Sequence, residues 1–536
     1  MKKALIILPV ILYTLTIFAQ QQTIDSTENS LNHNWYNKSA SIDSIYGAEV
    51  EKAYNEILKG KTSTTVIVAV IDGGIDVTHE DLKNNIWVNK NEIPDNGIDD
   101  DNNGYIDDIH GWNFIGNAEG ENITYENLEV TRIYRSYNKK FENIDSKSLS
   151  EEEKVKYDLY KKAESIYTKQ KNELLTGQKR IKAIEERYKE AIIKLEWYLD
   201  TNVITSAALK EIQSEDKVLM KHVNYLLYLY NNGFTEESLK EIKEYTSNEI
   251  NYYYNPDFKP REIIGDDPKD IIAPYGNNNV YGPDADHGTF VAGIIAAERN
   301  NNIGIDGIAA DVKIMGLKVV PNGDERDKDV AKAIRYATDN GARIINMSFG
   351  KELSPQKHLV DEAVLYAEKK GVLLIHASGN DGYNIDKIKQ YPTKNIRENY
   401  QASNWITVGA SSMYKDFDFA ADFTNYGKNM VDIFAPGVDV KSLAPESKYD
   451  SGDGTSFSAP VVSGVAALVL SYYPELTNLE IKNIILKSAS KYPKTKVYKP
   501  GDYSRRRKKI KFEKLSVTSG IVNAYNALQM AEQMSK

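Results

Sequence analysis

Cysteine is absent from all 536 residues. That excludes disulfide bonds, thiolate metal sites and lipid attachment at a mature N-terminal cysteine, so rigidity must come from core packing or from bound cations. A surplus of positive charge is also missing. Lys and Arg number 67 against 77 Asp and Glu, a formal net charge of −10. Nucleic-acid partners need a basic face to neutralise phosphates, so that class of function is not expected. Beyond the first residues no apolar run reads as a bilayer span, and no transmembrane segment is expected past the signal region. Repeats and low-complexity tracts are lacking as well. What is present is 41% hydrophobic residues in a chain long enough for one large core and an added module.

Residues 1–19 read as a secretory signal peptide. Lys2 and Lys3 give the positive start, Ala4 to Phe18 the apolar core and Ala19 a cleavage site, although Ile17 is larger than the residue usual two positions earlier. An exported protein, periplasmic or secreted, is expected; an uncleaved N-terminal anchor is the alternative. Residues 20–45 are polar and expected to be loosely held, and Ala48 to Leu58 reads as a short helix, so 20–60 forms an N-terminal segment.

Thr64 to Ile71 is a continuous β-branched run, the pattern of a strand covered on both faces in a parallel sheet. It ends in Asp72-Gly73-Gly74, which places Asp72 beyond the carboxyl end of a strand, where open α/β sheets bind ligands. The stretch from Asp95 to Asp108 carries Asp99, Asp101 and Asn103 at alternate positions before Gly104, with Asp107 following. Oxygens so spaced around a sharp turn suit a hard cation, and a structural Ca²⁺ on Asp99, Asp101, Asn103 and Asp107 is one reading. A solvated acidic loop is the other, since His110 stands where an EF-hand would place its last glutamate.

From about residue 118 the composition turns to Lys, Glu, Tyr and Leu. Ser150 to Glu153 is a capping-box helix start, and Ile181, Ile184, Tyr188, Ile192, Leu195 and Leu199 form a helical stripe. A further helix near Val218 to Tyr230 stops at Gly233, and Thr235 caps another. Residues 118–280 are thus expected to be a helical insertion with its return loop. Its charged faces read most simply as solvated surface.

At Asp286-His287-Gly288-Thr289 a polar group opens a helix of small apolar residues. Strands and helices then alternate. Val312 to Val320, Ala342 to Met347, Val372 to Ala377, Trp405 to Ala410 and Met430 to Phe434 read as strands. Asp329 to Asn340, Leu359 to Lys370, Asn478 to Ser488 and Ser519 to Met534 read as helices. This predicts an α/β fold, a doubly wound, mostly parallel sheet over 61–117 and 281–536, interrupted by the α-helical insertion. Near the end, Gly454-Thr455-Ser456-Phe457-Ser458-Ala459-Pro460 precedes the apolar run Val461 to Leu470. A serine at the mouth of such a helix sits in a field that favours negative charge. Pro460 is expected in the first turn, where a missing N–H costs little.

Aspartate, histidine and serine in that order carry a resemblance. The segments Val70 to Asp76, His287 to Gly293 and Gly454 to Pro460 are similar to the three catalytic motifs of the subtilisin-like serine proteases, and Ala377-Ser378-Gly379-Asn380 resembles the family's oxyanion segment. The likeness covers about 61–117 and 281–535. It implies a serine endopeptidase acting through an acyl-enzyme. Ser456 would be the nucleophile, His287 its base and Asp72 the group that orients the imidazole; the Ser456 N–H and the Asn380 amide would stabilise the oxyanion. By the same resemblance Ser348-Phe349-Gly350 would pair with an extended substrate backbone. With Ala377, Ser378 and Gly379 it would line a roomy pocket for a medium or large apolar side chain. A protein or peptide substrate is implied, and no organic cofactor. A catalytically silent relative that binds peptides or proteins through its helices is the competing reading. A calcium-binding surface protein centred on the acidic loop is a third.

The chain departs from the family pattern at several points. Phe290 replaces a second histidine, Phe457 replaces a methionine, and Gly73 replaces a Ser or Thr, which removes one hydrogen bond near Asp72. The separation of 215 residues between Asp72 and His287 is far longer than in compact members, because the helical insertion lies within it. Residues 20–60 are short for the family's folded propeptide. Since the insertion follows the Asp72 strand, it is expected to project near the rim of the cleft and to gate or select substrates.

Overall fold

The computed structural model describes residues 34–535, so the signal segment 1–19 lies outside the described residues. These form two compact units, one of residues 130–258 and one of residues 34–129 with 259–535. Residues 118–129 and the return loop 259–280 group with the sheet unit.

The sheet unit is built on nine strands. In chain order they are β1 (Val66–Asp72), β2 (Gly111–Asn113), β3 (Val312–Lys318), β4 (Ile344–Met347), β5 (Leu373–Ala377), β6 (Trp405–Ser411), β7 (Ile433–Pro436), β8 (Ser490–Lys491) and β9 (Gly520–Ile521). Their order across the sheet is β8-β9-β7-β6-β5-β4-β1-β3-β2. Every pairing is parallel except β8 with β9. The continuous apolarity of β1 has its physical reason here. Val66, Val68 and Val70 face one buried layer, while Ala69 and Ile71 face the other. The first layer holds the helices Asp286–Ala296 and Thr455–Tyr472, and the second Asp327–Asp339 and Lys357–Lys370. Central β1 therefore delivers Asp72 to the carboxyl edge of a sheet packed on both sides. The Thr455–Tyr472 helix is apolar enough by length and composition to cross a membrane, yet 83% of it is buried inside the fold.

Two expectations are corrected. The described part of the N-terminal segment is not loose, because Trp35 and Tyr36 are fully buried. The Trp35 indole donates to Asp439 O at 2.8 Å and the Tyr36 hydroxyl to Asp306 O at 2.9 Å. Large aromatic rings bury enough area to outweigh polar neighbours in sequence. Pro460 is not in the first turn, because the helix begins at Thr455 and carries Pro460 inside it. The missing N–H would have bonded Ser456 O four residues back. That carbonyl instead accepts the Ser348 hydroxyl at 2.8 Å.

In the helical unit, one helix runs unbroken over Glu151–Leu199, 49 residues, opened by the Ser150–Glu153 capping box. Tyr188, Ala191 and Leu195 on its later turns pack with Leu219, Val223 and Leu226 of helix Lys217–Asn231. Thr235 caps the helix Glu236–Asn248.

Candidate active site

Asp72, at the end of β1, is 2% exposed. One carboxylate oxygen, Oδ1, accepts the Gly73 N–H at 2.7 Å and His287 Nδ1 at 2.7 Å. The other, Oδ2, is buried without a partner. The helix bearing His287 can approach this closely because its second residue after Asp286 is glycine. A Cβ on Gly288 would lie 2.1 Å from Gly74 O and 3.2 Å from Asp72 Cβ.

The Nδ1 bond assigns the neutral imidazole its tautomer: Nδ1 carries the proton and Nε2 is left as the basic nitrogen. Desolvation in the cleft pulls the His287 pKa down. The charge and hydrogen bond of Asp72, with Asp284 adding, outweigh it and leave the pKa above the ordinary histidine value. The side chain is 42% exposed, so a substrate can reach it.

Ser456 lies in the first turn of its helix, where N–H groups lack intrahelical acceptors. Its hydroxyl donates to Ser348 O at 3.2 Å, and its carbonyl accepts from the Ser348 hydroxyl, so the two serines hold each other reciprocally. Among the described residues no hydrogen bond joins Ser456 to His287. Instead the Phe457 ring bridges the two helices. It stacks on Phe290 with centroids 4.1 Å apart and lies 5.9 Å from the His287 ring. The two residues that depart from the family pattern thus pack against each other.

Asn380 follows β5. Its Oδ1 accepts both the Thr455 N–H at 2.9 Å and the Thr455 hydroxyl at 2.8 Å. With the carbonyl end so occupied, the amide's two N–H donors are unbonded beside Ser456. A cavity of about 220 Å³ touches Ser456 and Asn380 and is lined by Ser348, Phe349, Gly350, Ala377, Ser378 and Gly379, the residues expected from the resemblance.

Three further residues were not singled out from sequence. His376 and Gln390 also line the cavity. Burial pushes the His376 pKa down to about 4, against the raising effect of its bond to Phe349 O, so the ring is neutral and its Nε2–H donates to that carbonyl at 2.8 Å. Lys318 is the register partner of Asp72 on β3 and donates to Asp284 O at 3.2 Å. Burial lowers its pKa to about 8, opposed by the charges of Asp284 and Asp72. A lysine closing an apolar strand was the signal available for it.

In the acidic loop a carboxylate from outside the 95–108 stretch joins two of the residues named by spacing. Oxygens of Glu92, Asp99 and Asp101 lie within 4.8 Å of one another. The Asp107 carboxylate turns to the Asn96 and Gly97 N–H groups, at 3.1 and 2.9 Å, and Asn103 Oδ1 accepts the Tyr105 N–H at 2.8 Å.

Comparison with known proteins places the chain among proteases. A "Thermophilic serine proteinase" of Bacillus sp. (strain AK1) is 37% identical over 248 residues, 46% of this chain and 56% of that protein. A "Cell wall-associated protease" of Bacillus subtilis (strain 168) is 38% identical over 40% of this chain and 22% of its own length. "Subtilisin Savinase" of Lederbergia lenta is 37% identical over 40% of this chain and 74% of its own length. The match thus spans about half the length of the first relative and less than a quarter of the second. Residues 63–507, most of the chain, match the model of the subtilase family, and the protein belongs to that family.

Proposed function

We propose that the chain is an exported serine endopeptidase that cleaves peptide bonds through an acyl-enzyme on Ser456. What supports this most is the convergence at one sheet edge of a polarised His287–Asp72 pair, at 2.7 Å, and the unbonded N–H donors of the Asn380 amide beside Ser456. In the reaction the Ser456 hydroxyl turns from Ser348 O to His287 Nε2, which takes its proton as Oγ attacks the carbonyl carbon. Catalytic hydrogen bonds commonly close only with substrate bound, so the open Ser456–His287 contact accords with a free enzyme. The oxyanion is met by the Ser456 N–H and the Asn380 amide. His287 then gives the proton to the leaving amine, and water completes the cycle.

Export rests on the Lys2-Lys3 start and the apolar run of the first 19 residues. A structural calcium ion is supported by the cluster of Glu92, Asp99 and Asp101. Selection of substrates by the helical unit rests on its place in the chain, between the strand of Asp72 and the helix of His287.

The test of the catalytic reading is labelling by a fluorophosphonate together with hydrolysis of a peptide substrate. Wild-type protein is expected to do both, and Ser456→Ala neither, with an unchanged melting temperature. The loss in turnover should be on the order of 10⁶-fold, a figure that belongs to the corresponding serine of subtilisin rather than to this chain. Retained turnover in Ser456→Ala would show that the nucleophile is misassigned.

A further inference from the structure

The chain leaves the sheet unit at Glu129 and returns at Lys259. Both crossing points are held by buried charge. On the outbound side, Asn322 N–H donates to Thr124 O at 2.8 Å and Glu126 N–H to Asn322 O at 2.9 Å. Gly323 has φ +134°, and a Cβ there would lie 2.1 Å from Glu126 O, so the outbound segment is seated directly on the residues after β3. The Glu126 side chain is fully buried and accepts from Arg326 Nε at 2.8 Å and, on the returning side, from Arg261 Nε at 3.5 Å. Arg261 also pairs with Asp266 at 3.0 Å and with Asp329.

Three residues further out, Glu129 opens the helix Glu129–Phe141 that carries the chain into the helical unit. Its carboxylate meets the Lys351 ammonium at 2.9 Å. Lys351 also pairs with Asp327 at 2.9 Å and donates to Glu325 O at 2.7 Å, its side chain only 2% exposed. Lys351 directly follows Ser348-Phe349-Gly350, and Ser348 exchanges two hydrogen bonds with Ser456. A path of bonded groups therefore runs from the first residue of the outgoing helix to the nucleophile.

Buried ion pairs add little net stability compared with apolar residues, yet losing one partner is strongly destabilising. Such an arrangement tolerates little displacement, so a shift at Glu129 must move Lys351 or break the pair. We infer that Glu129 and Lys351 latch the last residue of the sheet unit before the helical unit to the peptide-binding edge, so that occupancy of the edge and the state of the chain that follows Glu129 are coupled. The inference rests on the protease reading above. Lys351 is a positioning residue in it, and coupling of this kind is reciprocal.

The test uses full-length protein and amide hydrogen exchange over residues 130–141. Free enzyme is compared with enzyme labelled by a small alkyl fluorophosphonate and with enzyme labelled by a phosphonate bearing a tetrapeptide arm that fills the edge. The armed probe is expected to slow exchange over 130–141 several-fold and the small probe to leave it unchanged. In Glu129→Gln, where Lys351 keeps Asp327, both probes should label at the wild-type rate while the slowing disappears. Lys351→Met should lose the slowing too, and serves if Glu129→Gln does not fold. Equal slowing by both probes, slowing by neither, or slowing that survives the variants would overturn the latch. A wild type that takes neither probe would overturn the protease reading instead.

Discussion

The sheet edge at Asp72 and the acidic loop at 92–108 are both polar clusters on the same unit, and they differ in what their hydrogen-bonding groups are doing. In the loop every clustered carboxylate oxygen already accepts from the protein. Asp99 takes the Asn103 and Gly104 N–H groups, Asp101 those of Asn103 and the Asn89 amide, and Glu92 those of Asp101 and Asp107. At the sheet edge, capacity is left over. Asp72 Oδ2 has no partner, the Asn380 N–H donors are unbonded, and His287 Nε2 bears a free lone pair. A group held by its neighbours at one end and unused at the other is ready for a reacting molecule. A group whose two oxygens both accept from the chain shapes the chain around itself. Chemistry is thus expected at the first cluster, and shape at the second, with or without an ion.

The sharpest way to break that contrast is Asp72→Asn. The amide cannot hold the Nδ1–H tautomer or the imidazolium, and the loss in kcat should be on the order of 10⁴-fold. The pH profile should move as well. In the wild type only neutral His287 acts as base, and its pKa lies above the ordinary 6.5, so the rate falls as pH drops through a value higher than that. Removing Asp72 takes away the charge and the bond that raise the pKa most and leaves desolvation, which lowers it, against the lesser charge of Asp284. The acid limb should therefore shift to lower pH in the variant. A profile that stays in place would mean that the two side chains are not coupled in solution.

A smaller effect is expected at Asn380. Asn380→Ala removes donors needed only when the oxyanion forms, so kcat should fall and KM hold. The loss should be roughly 10²- to 10³-fold, the figure known for the asparagine of subtilisin itself rather than one derived from this chain. An equal loss in KM would place the amide in ground-state binding.

The two clusters also differ in how far they could be read from sequence. Asp72 and Asn380 follow an apolar run and His287 and Ser456 precede one, and a run that must be buried fixes where the polar residues at its ends emerge. Their meeting follows from the order of the strands. In the acidic loop nothing buried sets the register. Spacing pointed to Asp99, Asp101, Asn103 and Asp107; it gave no sign of Glu92, which the fold brings beside Asp99 and Asp101. Pro460 was misplaced because the Ser348 hydroxyl that replaces its missing donor lies more than 100 residues away in sequence. Trp35 and Tyr36 were hidden by the polar composition around them. Side chains whose partners are distant in sequence leave no local trace, and Lys351 with Glu129 is of that kind.

The smallest effect tests the loop. Each carboxylate oxygen that accepts one N–H keeps a second lone pair, so Glu92, Asp99 and Asp101 can still face a cation. If they hold calcium, the ion stabilises the folded state by about 2.7 kcal/mol at a hundredfold excess over its Kd. In a unit of this size that is about 5 °C or less in melting temperature. A chelator should lower the melt by that amount without changing the rate of fluorophosphonate labelling, and Glu92→Gln should remove the response to calcium. A melt indifferent to the chelator would leave the loop a solvated acidic turn held by its own N–H groups. A chelator that abolished labelling while sparing the melt would break the contrast itself, because the shape-holding cluster would then be acting on the chemistry.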